Sequence, residues 1–90
     1  MQPKDPFLLY AMGLEHFGSA DYAAAEPWFE KCNEADQEYL AVYYQLGKTK
    51  EGLDKSQEAI AIYEAGIKLA EKENADRTLS ELKSALESLQ

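Results

Sequence analysis

LAVYYQLGKTKEGLDKSQEAIAIYEAGIKL, residues Leu40 to Leu69, decides how this chain is read, because the residues before it repeat it at a constant offset. Stepping back 34 positions takes Gly47, Ala59 and Tyr63 to Gly13, Ala25 and Phe29, and takes Leu46 to Met12 and Tyr43 to Leu9. Small residues recur where two helices must approach closely, and large ones recur where the space between them must be filled. A fixed period of this length is the mark of a helical repeat array, in which each unit buries a face only by stacking on its neighbour.

The spacing and residue types resemble the tetratricopeptide repeat, whose pattern runs W-x2-L-G-x2-Y, then A-x3-F, then P. In the first copy Leu9, Met12, Gly13, Ala25 and Phe29 fit, while His16 replaces the tyrosine and Gln37 the closing proline. In the second, Tyr43, Leu46, Gly47, Ala59 and Tyr63 fit, while Lys50 replaces the tyrosine and Glu71 the proline. The resemblance implies an all-α fold, a five-helix antiparallel helix-turn-helix array forming a right-handed solenoid. It implies one domain over residues 1–90: repeat 1 at about 6–39, repeat 2 at about 40–73, and a capping helix at about 75–89.

Read in order, Asp5-Pro6 starts the first helix, since an aspartate caps the free N–H groups and a proline at the first helical position loses no bond. That helix runs to about Phe17. Asp21 caps a second from Tyr22 to about Asn33, and the apolar positions Ala25, Trp28, Phe29 and Cys32 carry it through Pro27. Trp28 is expected on the outer surface. Helix 3 ends at Gly52-Leu53-Asp54, where Asp54 and Gln57 read as a cap and its reciprocal partner for helix 4. Helix 4 shows Ala59, Ile60, Tyr63, Ile67 and Leu69 at three-and-four spacing, and its Gly66 points to a close neighbour. Asn74 reads as the cap of helix 5, Ala75 to Leu89, whose leucines 79, 82, 86 and 89 form a narrow stripe on a polar helix. Such a helix closes an array, burying one face and wetting the other.

Composition narrows the function. Ninety residues with 46% apolar and 29% charged content suit one small soluble domain. Seventeen acidic residues against nine basic ones, a net charge of −8, would repel a phosphate backbone, so nucleic acid is not an expected partner. No apolar run long enough to span a bilayer occurs, and MQPKDPF lacks the apolar core of a signal peptide, so the expectation is a cytoplasmic protein without a membrane partner. Cys32, the only cysteine, excludes an internal disulfide and occupies a small-residue position of the repeat, where a buried thiol packs as a small hydrophobe. His16, the only histidine, has no ligand companions and stands where the repeat puts an inward tyrosine, so it is read as structural. With no nucleophile elbow, phosphate-binding glycine loop or zinc-protease motif, and with glutamates spread over polar helix faces, neither an enzyme nor a cofactor is expected.

What remains is a binding surface. The resemblance places positions two, five, nine and twelve of each copy on the inner face: Phe7, Tyr10, Leu14 and Phe17, then Ala41, Tyr44, Lys48 and Glu51, with Gln45 beside them. The first set is far more apolar than a solvated face requires, and such patches mark partner sites. Phe7 and Phe17 have a second reading, as seals between the first two helices. A subgroup of the family grips acidic chaperone tails with lysine, asparagine and arginine. The corresponding positions here are Tyr10, Leu14 and Gln45, which cannot cradle a carboxylate. The expected role is therefore a scaffold or adaptor that binds a peptide or protein of apolar or basic character through Phe7, Tyr10, Leu14, Phe17, Tyr44, Gln45 and Lys48. A self-assembling module is the alternative, since two repeats fall short of the three or so usually needed for stability.

Overall fold

The computed structural model describes residues 5–90, which form five helices: α1 (Pro6–Gly18), α2 (Tyr22–Ala35), α3 (Ala41–Gly52), α4 (Ser56–Lys72) and α5 (Asp76–Glu87). The part of the expected domain at residues 1–4 lies outside the described residues. Each helix packs on the next, and α3 also touches α1 and α5. Helices α1, α3 and α5 thus form one layer and α2 and α4 the other.

The repeated glycines explain the pairing. A Cβ on Gly13 would collide with the Phe29 ring, and one on Gly47 with the Tyr63 ring, so in each unit an aromatic from the second helix packs directly against the bare backbone of the first. Phe29 and Tyr63 are fully buried, with Leu9, Ala25, Cys32, Val42, Leu46, Ala59, Ala70 and Leu82 in the same core. Gly66 admits the neighbour expected of it: its Cβ would meet the Tyr43 Cβ at 2.7 Å and Leu82 at 3.1 Å, which joins α4 to α3 and α5 at one point.

Asp5 and Asp21 cap α1 and α2 as the sequence indicates, accepting from the backbone N–H of Phe7 at 2.9 Å and of Ala24 at 3.2 Å. Helix α2 continues through Pro27, and because Pro27 and Ala23 are both exposed, the hydrogen bond that proline removes falls on the solvent side.

Asp54 and Asn74 are not caps. Both take the left-handed conformation, with φ of 60° and 57°, as does Ala20 at 58°. In each case the next residue donates its N–H back five positions, from Asp21 to His16, Lys55 to Lys50 and Ala75 to Ala70, at 2.8 to 3.0 Å. Three helices therefore end in the same closing turn, and the residue after the left-handed one starts the next helix. Asp54 and Asn74 serve by tolerating the left-handed conformation, and the N-cap positions of α4 and α5 fall to Lys55 and Ala75 without a side-chain bond.

Met12 is a second correction. It matches the repeat pattern as a core residue, yet it is exposed, whereas its counterpart Leu46 is buried. The difference is positional. Leu46 lies on the flank of α3 turned toward α2, and no helix precedes α1 among the described residues to cover Met12 in the same way.

Candidate functional site

The face built from α1, α3 and α5 carries the residues picked from the sequence, but it does not treat them alike. Phe7 is 61% exposed and Leu14 36%, and both are open to a partner. Tyr10 is half-buried, its ring 5.8 Å from that of Phe29 and 5.4 Å from that of Tyr39. Burial, with Tyr39 adding to it, raises the Tyr10 phenol above its ordinary value, and the Gln45 amide offsets part of this. Phe17 lies edge-on to Tyr22 at 5.5 Å and to Phe29 at 6.4 Å, so it takes the sealing role between α1 and α2. Phe7 does not share that role.

On α3, the Lys48 ammonium sits over the Tyr44 ring, 5.6 Å from its centroid, and 3.7 Å from Glu51. Gln45 turns partly inward: its side-chain oxygen is buried with no hydrogen-bond partner, while its backbone carbonyl accepts from the Thr49 hydroxyl at 2.8 Å.

Tyr44 and Lys48 open onto a cleft of about 300 Å³ whose far wall is α5, with Ser80, Glu81, Ser84 and Ser88. These wall residues are absent from the sequence-derived set. Their signal was present in the offset: Tyr10 and Tyr44 are 34 residues apart and Ser80 follows after 36, and Leu14, Lys48 and Ser84 step in the same way. Helix α5 thus continues the layer as the first helix of a third unit would, two residues late. Tyr39 was also missed, because it falls in the connection before α3, where no helical period applies.

The strongest electrostatics lie elsewhere. Lys50, at the position of the family's inward tyrosine, is almost fully buried and donates to Glu26 at 2.6 Å, Glu30 at 2.8 Å and Glu58 at 2.8 Å. Burial by itself would lower the Lys50 pKa, but the three carboxylates outweigh it and raise it. Lys55 adds a second cation to Glu26 at 2.9 Å. Burial pushes the Glu26 carboxyl up, the two lysines push it down by more, and the net shift is downward. This cluster ties α3 to α2 and α4 and floors a cleft of about 400 Å³ between them, away from the Tyr44 face.

Cys32 is buried, and burial followed by the charge of Asp36 pushes its thiol up to about 11. It is a packing residue, as its position suggested. Trp28, expected on the outer surface, is only partly exposed: it packs against the core and carries the Lys31 ammonium 4.9 Å above its ring. Among the described residues no group of three or more His, Cys, Asp or Glu side chains is placed to hold a metal, and no helix is long and apolar enough to cross a membrane.

Residues 8–39 and 40–73 each match the family model described as the tetratricopeptide repeat. The chain belongs to that family. It is similar to a tetratricopeptide repeat domain protein from Salinibacter ruber solved as a crystal structure, at 39% identity and a TM-score of 0.87, covering 94% of each chain. It is also similar to a tetratricopeptide repeat domain protein from the same organism solved by solution NMR, at 38% identity and a TM-score of 0.88, covering 100% of this chain and 91% of that one. No curated protein matches the chain at a significant level. Tetratricopeptide repeats are in general protein-interaction modules, built on a scaffold that does no chemistry of its own.

Proposed function

We propose that this tetratricopeptide repeat domain is an adaptor that holds an extended peptide segment across the face of α1, α3 and α5. The observation that carries the reading is the cleft between Tyr44, Lys48 and the serine row of α5, continued toward α1 by exposed Leu14 and Phe7. Its ends differ in chemistry. Phe7, Leu14 and the Tyr10 ring suit an apolar anchor, while the serine hydroxyls and Glu81 suit backbone amides and a basic side chain.

A net charge of −8 favours the same kind of ligand, since opposite charge speeds encounter and like charge slows it. The protein works inside the cell as a scaffold. Panning a random peptide library on the intact chain tests the reading. Enriched peptides should combine an aromatic or leucine with lysine or arginine, and should lose binding to a Leu14→Glu, Tyr44→Ala variant that keeps its helicity. Enrichment of acidic peptides, or binding indifferent to those two substitutions, overturns it.

A further inference from the structure

Lys48 rests loosely on a seat that is itself fixed. Tyr44, Lys48 and Glu51 fall on one face of α3, four and then three residues apart, so their side chains meet. The Lys48 ammonium stands 5.6 Å from the Tyr44 ring centroid and 3.7 Å from Glu51 Oε2. Both distances lie near the outer limit of such contacts. With the Lys48 and Glu51 side chains 34% and 25% exposed, water and salt weaken the hold further.

Glu51 is anchored quite differently. The Tyr63 ring is fully buried against Gly47, and its phenol donates to the same Glu51 Oε2 from the core side. Burial and then the Glu51 carboxylate raise the Tyr63 phenol far above its ordinary value, so it keeps its proton and keeps donating. An aromatic ring and a carboxylate are thus set side by side where Tyr44 and Lys48 line the cleft opposite α5. Glu51 Oε1 has no hydrogen-bond partner among the described residues.

We propose that Tyr44 and Glu51 form the seat for an arginine side chain of the bound peptide, and that Lys48 is an intramolecular occupant which the guanidinium displaces. The inference rests on the peptide-binding reading of this face. The chemistry of the seat selects arginine, whose flat guanidinium stacks on a tyrosine ring, forks onto a carboxylate and is less strongly hydrated than the ammonium it replaces. Glu81 adds a second carboxylate from the far wall, 3.7 Å from the 94%-exposed Arg77. Lys48 also sets a threshold. A neutral side chain that pushed it aside would leave Glu51 without a cation, so the seat discriminates by charge.

Titration of the intact chain with N-acetyl-arginine amide, followed by amide NMR, tests the proposal. The series runs to about 50 mM, because a single side chain binds at roughly millimolar concentration. Shifts should concentrate at Tyr44, Lys48 and Glu51, and N-acetyl-citrulline amide, the uncharged isostere, should leave them unmoved. Lys48→Ala removes the competitor and should tighten arginine binding about threefold to tenfold. Lys68→Ala makes the same change of charge at an exposed position of α4, in the other layer, and should change binding less than about twofold. Glu51→Gln keeps an acceptor for the Tyr63 phenol and should weaken binding about threefold.

Equal responses to Lys48→Ala and Lys68→Ala would reduce the effect to net charge and overturn the proposal. So would a capped arginine that shifts nothing, or one whose shifts centre on the carboxylates of the cleft between α2 and α4. The shift map of the unsubstituted chain decides the location however the variants fold. The peptide-binding reading is judged separately. If panned peptides lose binding to the Leu14→Glu, Tyr44→Ala variant while the capped arginine finds no seat, only this assignment is lost. If they are indifferent to that variant as well, the whole face is lost with it.

Discussion

Lys50 Nζ lies 2.6 Å from Glu26 Oε2, a contact between α3 and α2 made where the family places an inward tyrosine. The lysine is nearly buried and the Glu26 side chain is 16% exposed, so this ion pair is shielded from water and salt. Glu30 and Glu58, at 47% and 58% exposed, complete the charge balance from the solvent side and contribute less.

Removing the lysine should therefore cost more than an ordinary surface change. Lys50→Ala leaves three carboxylates facing one another with only Lys55 near, and breaking such a buried pair costs about 3 kcal/mol, the low end for buried pairs because two of the carboxylates are wetted. Urea unfolding measures it. In double-mutant cycles the coupling of Lys50 to Glu26 should exceed that to Glu58. Equal coupling would show that burial does not set the strength of the cluster.

The same groups shape stability against pH. The Glu26 pKa is depressed below 4.5 in the folded chain, so its contribution is present above that pH and is lost as pH falls through the folded value. The Lys50 pKa is raised above 10.5, so its contribution is complete below that pH and is lost as pH rises past it. The Cys32 thiol moves from 9.0 to about 11, which favours the neutral form in the fold and costs stability from pH 9 upward. Urea midpoints should form a plateau between about pH 5 and pH 9 with a fall on either side. Glu26→Gln should flatten the acid limb and Cys32→Ala the first part of the alkaline one. An acid limb unchanged by Glu26→Gln would assign it to other carboxylates.

Truncation tests whether α5 is structural. Leu82 is fully buried and reaches the backbone of Gly66, beside which the Tyr43 Cβ is packed. Removing residues 75–90 strips that cover from Gly66 and Tyr43. Full burial of a leucine contributes roughly 1.5 to 3 kcal/mol, in a domain whose total is about 5 to 15 kcal/mol. The shortened chain should unfold or aggregate, and circular dichroism melts decide it. A soluble product with an unchanged melting point would make α5 an appendage.

The fold was legible because packing writes a period into the sequence. Gly13 with Phe29 and Gly47 with Tyr63 are each a bare backbone and the ring laid on it, and only that residue pairing satisfies the geometry. Asp54 and Asn74 were misread because aspartate and asparagine suit both an N-cap and a left-handed turn, and the choice depends on where the preceding helix closes. Met12 was misread because the pattern assumes a neighbour on each side, which an end helix lacks. In the candidate site, Phe7 and Leu14 could be picked out, but the α5 wall could not, since serines on a polar helix look like solvent-facing filler until Tyr44 stands opposite them. The Lys50 cluster was hidden for a related reason. A lysine in place of a tyrosine reads as a lapse in the pattern, and its three carboxylates come from two other helices.

Core and face should respond oppositely to substitution. Phe29 is fully buried against Gly13 and the rings of Tyr10 and Phe17, so Phe29→Ala should cost about 3 to 5 kcal/mol and melt the fold. Leu14 is open and Tyr44 half-open, so Leu14→Glu with Tyr44→Ala should cost far less, with the exposed Leu14 position contributing within about 0.5 kcal/mol. Peptide binding by that pair should nevertheless fall at least about tenfold, since truncating an anchor at an interface centre costs more than 1 to 2 kcal/mol. Tyr10 is left out of the pair on purpose. Its ring packs on Phe29 and Tyr39, so Tyr10→Ala mixes a core loss with a surface loss and cannot separate the two. Thermal melts and peptide titrations on the same samples weigh core and face independently. If the Leu14 and Tyr44 pair melts as early as Phe29→Ala, those side chains support the fold and the peptide must dock on another face. If it keeps both its melting point and its affinity, the α1, α3 and α5 face is not where the peptide is held.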